Sequence, residues 1–214
     1  CGVVGLKPTY GRVSTRGLIP LSYSLDHAGP MARSVYDVAV VLQAMSGYDF
    51  GDPASVDQPA PDYTDMDRGA RGLTIAIDPA FSLAGAHADV LEALQATLDT
   101  LRHEGATVIE VSLPRLADAA KATLDILNAE ASAYHEERLK TRLDEFQPDV
   151  GSRLQLGFKV TGIDYSHAVR FRAFLRRDFE ALFERADAFI APGSAIPAPL
   201  IGASKVEMNG AMVG

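Results

Sequence analysis

Hydrophobic positions change their spacing along the chain, and each change marks a predicted element. Residues 73–78 and 107–113 are apolar runs of strand length. Between them, residues 87–104 carry apolar side chains at helical spacing, followed by Gly105 at the position that favours a left-handed C-terminal cap. The helical stripe consists of Val90, Leu91, Leu94, Leu98 and Leu101. A strand, a helix and a strand with short connections predict a βαβ unit with parallel strands.

Similar patterns predict elements on either side of this unit. Before it, Ser34 is a typical N-cap residue and Asp37 takes the third helical position, which predicts a helix ending at Gly47. After it, residues 114–186 are mainly helical, with an expected break near Ala129. The remaining predicted segments are helices over residues 114–146, 150–156 and 164–185, and short buried strands over residues 3–6 and 187–191.

The order of these elements predicts an α/β fold with a mixed or largely parallel sheet flanked by helices. Residues 10–33 and 48–70 are rich in Gly, Pro, Ser and Asp without a regular period, which is typical of ordered connectors. The sequence has no internal repeat and no clear internal boundary. We therefore expect residues 1–214 to belong to one domain.

Composition restricts the class of protein. The 214 residues are 47% hydrophobic and 22% charged, as in ordinary globular chains. The longest apolar run, residues 38–42, is far shorter than the ~20 residues of a membrane helix, so we expect no membrane partner. The single cysteine, Cys1, rules out a disulfide framework and predicts a reducing, cytoplasmic location. Its apolar neighbours favour a packing role for Cys1 over a nucleophilic one.

The charge balance argues against a nucleic-acid partner. Twenty Lys and Arg residues face twenty-eight Asp and Glu residues, which gives a formal charge of −8. Acidic residues interleave with the most basic stretch, so we interpret it as a solvated helix face. Its basic members are Arg170, Arg172, Arg176 and Arg177.

Common catalytic and cofactor motifs are missing from the sequence. It contains neither of the glycine-rich phosphate-binding loops and no nucleophile elbow. His135 begins a zinc-protease motif, but Leu139 stands where the second histidine belongs, so no metal site is predicted. For Asp26 and His27 we expect hydrogen bonding within a loop rather than catalysis. Counting residues neither supports nor removes a Ser-His-Asp triad, and the residues alone name no reaction.

A resemblance to a known family indicates a function that the motif search does not. The segment that starts at Cys1, Cys-Gly-Val-Val-Gly-Leu-Lys-Pro-Thr-Tyr-Gly-Arg-Val-Ser, resembles the amidase signature family. Residues 17–35 continue the match with Gly-Leu-Ile-Pro, Ser-Leu-Asp-His-Ala-Gly-Pro and Met-Ala-Arg-Ser-Val. Looser similarity follows at residues 130–135, 150–157 and 187–192. The resemblance spans essentially the whole chain and implies the α/β/α fold of that family.

The resemblance implies an amidase that cleaves a small carboxamide to a carboxylic acid and ammonia or an amine. Family members use a nucleophilic serine, a second serine in a cis peptide and a neutral lysine. All three are expected upstream of Cys1, so no catalytic residue is assigned in this chain. We expect the chain to be an interior part of an amidase domain, inactive alone, in which residues 114–186 cover the active-site side. Measuring the intact mass tests that expectation.

Two residues are candidates for substrate binding because they occupy stretches that resemble the family's middle helices. They are Tyr134 and Arg153. A residue at the edge of the core is the structural alternative for Tyr134, and a surface ion pair is the alternative for Arg153. The resemblance implies no metal and no organic cofactor.

Two other functions remain open. One is the amidase component of a tRNA-dependent amidotransferase, which hydrolyses glutamine and passes ammonia to a partner. Residues 25–32 are more similar to stand-alone amidases than to that component. The other is a non-catalytic α/β binding domain that has lost the triad. For the oligomeric state of the protein, the possibility we consider is a homodimer.

Overall fold

The computed structural model describes residues 2–66, 69–203, 205–208 and 211–213. The chain divides into two compact units, each built from two segments. The first unit comprises Cys1–Asp67 and Ala120–Arg172, and the second comprises Arg68–Ala119 and Ala173–Gly214. Cys1 lies outside the described residues, so its packing role stays a prediction.

The chain combines helices with short strands, three of which form a parallel sheet, and this confirms the α/β fold. The α-helices are α1 (Val35–Met45), α2 (Pro79–Ser82), α3 (Ala88–His103), α4 (Ala119–Thr141), α5 (Pro148–Leu154) and α6 (Gly162–Phe183). The strands are β1 (Val4–Gly5), β2 (Met31–Ala32), β3 (Thr74–Ile77), β4 (Thr107–Glu110), β5 (Ala188–Phe189), β6 (Val206–Met208) and β7 (Ala211–Val213). Short 3-10 helices cover Pro114–Asp118, Leu143–Glu145 and Gln155–Lys159.

A parallel sheet in the order β4-β3-β5 forms the centre of the second unit. Neighbouring residues of β3 face opposite sides of this sheet, as the pleat requires. Ala76 packs with Leu182 and other residues of one apolar cluster, and Ile77 packs with Leu98 of α3 in another. The predicted βαβ unit is therefore confirmed. Within this unit, Gly105 follows the end of α3 with φ +91°, a backbone conformation that suits glycine.

One helix of the second unit differs from the sequence prediction. The sequence pattern predicts a strand over residues 73–78 and no helix directly after it, but Pro79 is the first residue of α2. Proline lacks a backbone N–H group, but the N–H group of the first helical residue makes no hydrogen bond within the helix. Asp78 is 3% exposed, and its carboxylate accepts hydrogen bonds from the N–H groups of Phe81 (3.2 Å) and Leu113 (2.6 Å). The β6–β7 hairpin is a second element that the sequence pattern does not predict.

In the first unit, β1 and β2 form a short antiparallel pair. Ser34 caps α1 by accepting a hydrogen bond from the Asp37 N–H group, as predicted. Helical spacing in the sequence places Val35, Val38, Ala39, Leu42 and Met45 on one apolar face of α1. Val38, Ala39 and Leu42 are buried, whereas Val35 and Met45 are exposed. The prediction of a buried strand over residues 3–6 is wrong, because β1 has two residues and Val3 is 49% exposed.

Helix α4 runs without interruption through Ala129, so the predicted break is wrong. Alanine is the strongest helix former, and the buried residues that follow keep this turn packed. A close contact secures the helix on one side. An added Cβ at Gly157 would overlap the backbone oxygen of Asn128, so only glycine permits this approach. No helix among the described residues is long and apolar enough to cross a membrane.

Candidate active-site wall

A cavity of about 500 Å³ lies in the first unit, where the connector between β1 and β2 meets the loop after α1. Its surface is mainly apolar and aromatic, with two carboxylates, Asp26 and Asp52, among the lining residues. The lining residues are Tyr10, Thr15, Leu18, Pro20, Tyr23, Asp26, Asp52, Pro53 and Ala54. Concave, largely apolar surfaces with a few polar groups are typical of small-molecule sites.

Two tyrosines form one side of the cavity. The Tyr10 hydroxyl donates a 2.7 Å hydrogen bond to the backbone oxygen of Tyr23, and its ring meets His27 edge-on with centroids 5.5 Å apart. Burial and the nearby carboxylate of Asp52 raise the pKa of Tyr10. The phenol therefore stays protonated near neutral pH and keeps its role as a donor.

Asp52 anchors the loop after α1. It is 7% exposed and accepts hydrogen bonds from the N–H groups of Thr15 (2.7 Å) and Ala54 (2.9 Å). These bonds, with the one from Thr15 first, lower the pKa of Asp52 despite its burial. An ionised carboxylate with satisfied hydrogen bonds is a structural anchor, and it adds a negative charge to the lining of the cavity.

Asp26 and His27 both bond within their own loop, which confirms the role expected for them. Asp26 accepts hydrogen bonds from the N–H groups of Leu21 (2.9 Å) and Ser22 (3.1 Å). The Nδ1 atom of His27 lies 2.6 Å from the backbone oxygen of Leu25. A carbonyl oxygen accepts only, so Nδ1 carries the proton in this contact. The Nε2 atom can then accept from the Lys7 ammonium, 3.2 Å away.

Glu130 of α4 contacts this loop, and its carboxylate accepts four hydrogen bonds. It is 7% exposed. One oxygen, Oε2, accepts from the Ser22 hydroxyl (2.5 Å) and the Ser24 N–H group (3.0 Å). The other, Oε1, accepts from the hydroxyls of Ser24 (2.8 Å) and Tyr165 (2.8 Å). Glu130 thus joins residues 22–24 to both α4 and α6.

These contacts decide the charge state of Glu130. Burial opposes its ionisation, but the hydrogen bonds from Ser22, Ser24 and Tyr165 outweigh burial and lower the pKa of Glu130. The hydrogen bond that Tyr165 donates to Glu130 also raises the pKa of the tyrosine. Arg172 extends the network, because its guanidinium donates to the Ser24 hydroxyl at 2.8 Å. This contact is an exception to the predicted solvated face of α6.

Sequence reasoning does not single out Glu130 as a site residue. The spacing along the helix gives a signal, because Glu130 stands four residues after Ile126 and so lies on the same helical face. Ile126 is 1% exposed, so that face is buried. A carboxylate on a buried helical face requires partners. The pattern cannot name those partners, because Ser22 and Ser24 lie more than 100 residues earlier in the chain.

The two predicted substrate-binding residues lie elsewhere in the first unit. Tyr134 is 37% exposed on α4, with its ring edge-on to His135 and the Arg138 guanidinium 6.0 Å from its centroid. Arg153 is exposed in the last turn of α5. Neither residue lines the cavity at Tyr10. Their role in substrate binding stays a prediction.

Acidic, histidine and cysteine side chains do not cluster into a metal centre in the described part of the chain. Within those ranges, no group of three or more His, Cys, Asp or Glu side chains is arranged to hold a metal ion.

The parallel sheet flanked by helices defines the fold class as α/β. Comparison with known proteins identifies the family. The family described as Amidase matches residues 1–213, so this chain belongs to the amidase family. An amidase from Pseudomonas putida is 38% identical over 204 residues, which cover 94% of this chain and 44% of the relative.

The chain is also similar to an amidotransferase subunit and to a protein of known structure. A glutamyl-tRNA(Gln) amidotransferase subunit from Akkermansia muciniphila is 37% identical over 233 residues, covering 97% of this chain and 49% of that protein. A solved structure reported as part of a vestigial protein complex related to an s-triazine catabolic enzyme has a TM-score of 0.90 and 33% identity. That similarity covers 100% of this chain and 46% of the solved one. The chain therefore spans about half the length of the relatives it matches.

Proposed function

We propose that the protein is an amide hydrolase that converts a small carboxamide to a carboxylic acid and ammonia or an amine. The observation that carries this proposal is the amidase-family match over residues 1–213. The 38% identity to an amidase over 94% of the chain supports it.

The chemistry we propose is that of a Ser–cis-Ser–Lys triad, with its members upstream of the position of Cys1. A buried lysine loses its charge readily and can accept a proton. The second serine relays the proton of the nucleophilic serine to this lysine, and the nucleophile attacks the amide carbonyl. Oriented backbone N–H groups stabilise the oxyanion that develops. No triad residue is assigned within this chain, and residues 114–186 are proposed to cover the active-site side.

Our proposal for this chain is that it supplies part of the wall around the acyl group of the substrate. The cavity at Tyr10 has an apolar and aromatic lining, which suits an uncharged acyl group. Its two carboxylates, Asp26 and Asp52, disfavour an anionic group. Tyr134 and Arg153, which do not line this cavity, are proposed as further contacts to the substrate.

A second function has specific support. Several relatives named as a subunit of glutamyl-tRNA(Gln) amidotransferase are 37–38% identical over 95–97% of this chain. Glutamine carries a carboxylate, and a cation such as Arg153 would be needed to bind it. Because no Lys or Arg among the described residues lines the cavity at Tyr10, we favour neutral carboxamides over glutamine.

The experiment is to express the whole open reading frame that encodes this chain and to measure ammonia release from several amides. The panel contains acetamide, hexanamide, benzamide and glutamine. We expect turnover of the neutral amides without a partner protein. Glutamine turnover that occurs only with partner proteins would favour the amidotransferase function. A folded protein that hydrolyses none of them would instead support a non-catalytic binding domain.

Location and assembly are proposed on separate grounds. A single cysteine among 214 residues suits a reducing compartment, so we propose a cytoplasmic location. We also propose a homodimer as the assembly to test. Light scattering coupled to size-exclusion chromatography of the expressed protein gives the mass directly, and a monomer mass would contradict the dimer.

A further inference from the structure

We infer that Glu130 is a positioning residue of the acyl site: it fixes residues 22–24, and through them the tyrosine wall of the cavity. The inference rests on the proposed function, because it assigns substrate contact to that wall. Glu130 itself is not among the lining residues, so it acts through the loop rather than by touching the substrate.

The geometry of the carboxylate supports a positioning role. Each oxygen accepts two hydrogen bonds, and three of the four donors come from Ser22 and Ser24. The fourth donor, the Tyr165 hydroxyl, comes from α6. A carboxylate held from four directions has one orientation, and the loop that supplies three donors is held with it.

Tyr23 connects this anchor to the cavity. It stands between Ser22 and Ser24, both of which are bonded to Glu130. Its backbone oxygen accepts the hydrogen bond from Tyr10, and both tyrosines line the cavity. A displacement of residues 22–24 therefore moves Tyr23 and releases Tyr10 from its acceptor. The position of both rings depends on a side chain of α4.

The donors also distinguish this arrangement from a buried ion pair. Glu130 is surrounded by hydroxyl and backbone N–H groups, and Arg172 reaches the Ser24 hydroxyl instead of the carboxylate. Neutral donors orient the carboxylate without neutralising its charge. Burying a charge costs more desolvation free energy than burying an apolar side chain. Such a group sets the conformation of the loop, and removing it alone leaves its donors without an acceptor.

The principal test is the variant Glu130→Gln in the protein expressed from the whole open reading frame. Glutamine keeps the shape, and the hydroxyls of Ser24 and Tyr165 can turn to accept from its amide nitrogen. Glutamine nevertheless lacks the charge that shortens these bonds. We expect KM for benzamide to rise about tenfold with kcat changed less than about twofold, because uniform binding is lost and the reacting groups are not touched. Acetamide, which does not fill the cavity, should change by less than about twofold in both constants.

A matched control and a second variant complete the test. Glu137→Gln removes an exposed carboxylate from the same helix and should leave both constants unchanged. Ser22→Ala removes one of the four bonds and should raise KM for benzamide by about threefold, in the same direction as Glu130→Gln. Equal losses for both amides, or a fall in kcat at constant KM, would overturn the positioning role.

A readout without substrate separates this inference from the proposed function. Amide hydrogen exchange over residues 22–26 should be faster in Glu130→Gln and Glu130→Ala than in the wild type, since the Ser24 N–H group loses its charged acceptor. Exchange in β3 should not change. Unaltered exchange over residues 22–26 would contradict the inference even in an active enzyme. If the loop exchanges faster but no amide is hydrolysed, the proposed function fails and the anchoring of the loop is retained.

Discussion

Asp78 in the second unit and Glu130 in the first are both buried carboxylates, but their partners lie at different distances along the chain. Asp78 bonds to Phe81, three residues away, and to Leu113, 35 residues away and shortly after the end of β4. Glu130 bonds to Ser22 and Ser24, 108 and 106 residues earlier. Asp78 completes an element that local sequence already favours. Glu130 fixes a loop that has no regular structure of its own.

The comparison shows that long-range polar contacts stabilise the loop of the first unit more than they stabilise the sheet of the second unit. In the second unit, the apolar clusters around Ala76 and Ile77 hold the sheet, and the carboxylate of Asp78 adds a cap. In the first unit, the loop of residues 20–27 depends on the polar contacts of Asp26 and Glu130. The following predictions test this difference, from the largest expected effect to the smallest.

Glu130→Ala should be the most destabilising change. It leaves four donors of the first unit without their acceptor, at a cost of about 3–4 kcal/mol in the free energy of unfolding. Urea denaturation followed by circular dichroism measures the loss. A loss below about 1 kcal/mol would mean that water replaces the carboxylate and that the loop is held elsewhere.

Asp78→Ala should cost less, about 2 kcal/mol, because two backbone donors lose their acceptor and one of these belongs to a helix of four residues. The same denaturation experiment gives the value. A loss larger than that of Glu130→Ala would reverse the order that the comparison predicts.

Ser34→Ala should cost about 1 kcal/mol, as expected for removing the cap of α1. Ser34→Asp keeps an acceptor at the same position and should restore most of the stability. Thermal unfolding of the three proteins under one condition provides the measurement. Failure of the aspartate variant to recover stability would show that the hydrogen bond to Asp37 is not the cause.

The pH dependence should identify the charge of Glu130 as the stabilising form. Its pKa in the folded protein is lowered from the ordinary value of 4.5. The stabilisation is therefore present above that value and is lost as the pH falls through the lower, folded pKa. The stability difference between wild type and Glu130→Gln should be constant near neutral pH and should shrink below about pH 4. A difference that grows on acidification would contradict this assignment.

Some elements can be predicted because their signals are local. The stripe of α3, its terminal Gly105 and the cap at Ser34 each lie within a few residues of the element they define. The start of α2 and the continuity of α4 escape prediction, because proline both ends a strand and begins a helix, and packing keeps α4 continuous.

The candidate site is harder to predict than the elements around it. Resemblance selects Tyr134 and Arg153, and their role in substrate binding stays a prediction. Tyr10 and Tyr23 are brought together by a backbone contact between two parts of an irregular loop. No periodicity records such a contact, because the residues involved belong to no helix or strand.

The sequence by itself determined the α/β class, the βαβ unit and, through the segments at residues 1–14 and 17–35, the resemblance to amidases. Periodicity and capping depend on neighbours within one or two turns, so they can be read along the chain. Only the tertiary structure decided that Glu130 meets Ser22, Ser24 and Tyr165. A buried carboxylate must find donors wherever the fold supplies them, and here the fold supplies them from two other parts of the chain.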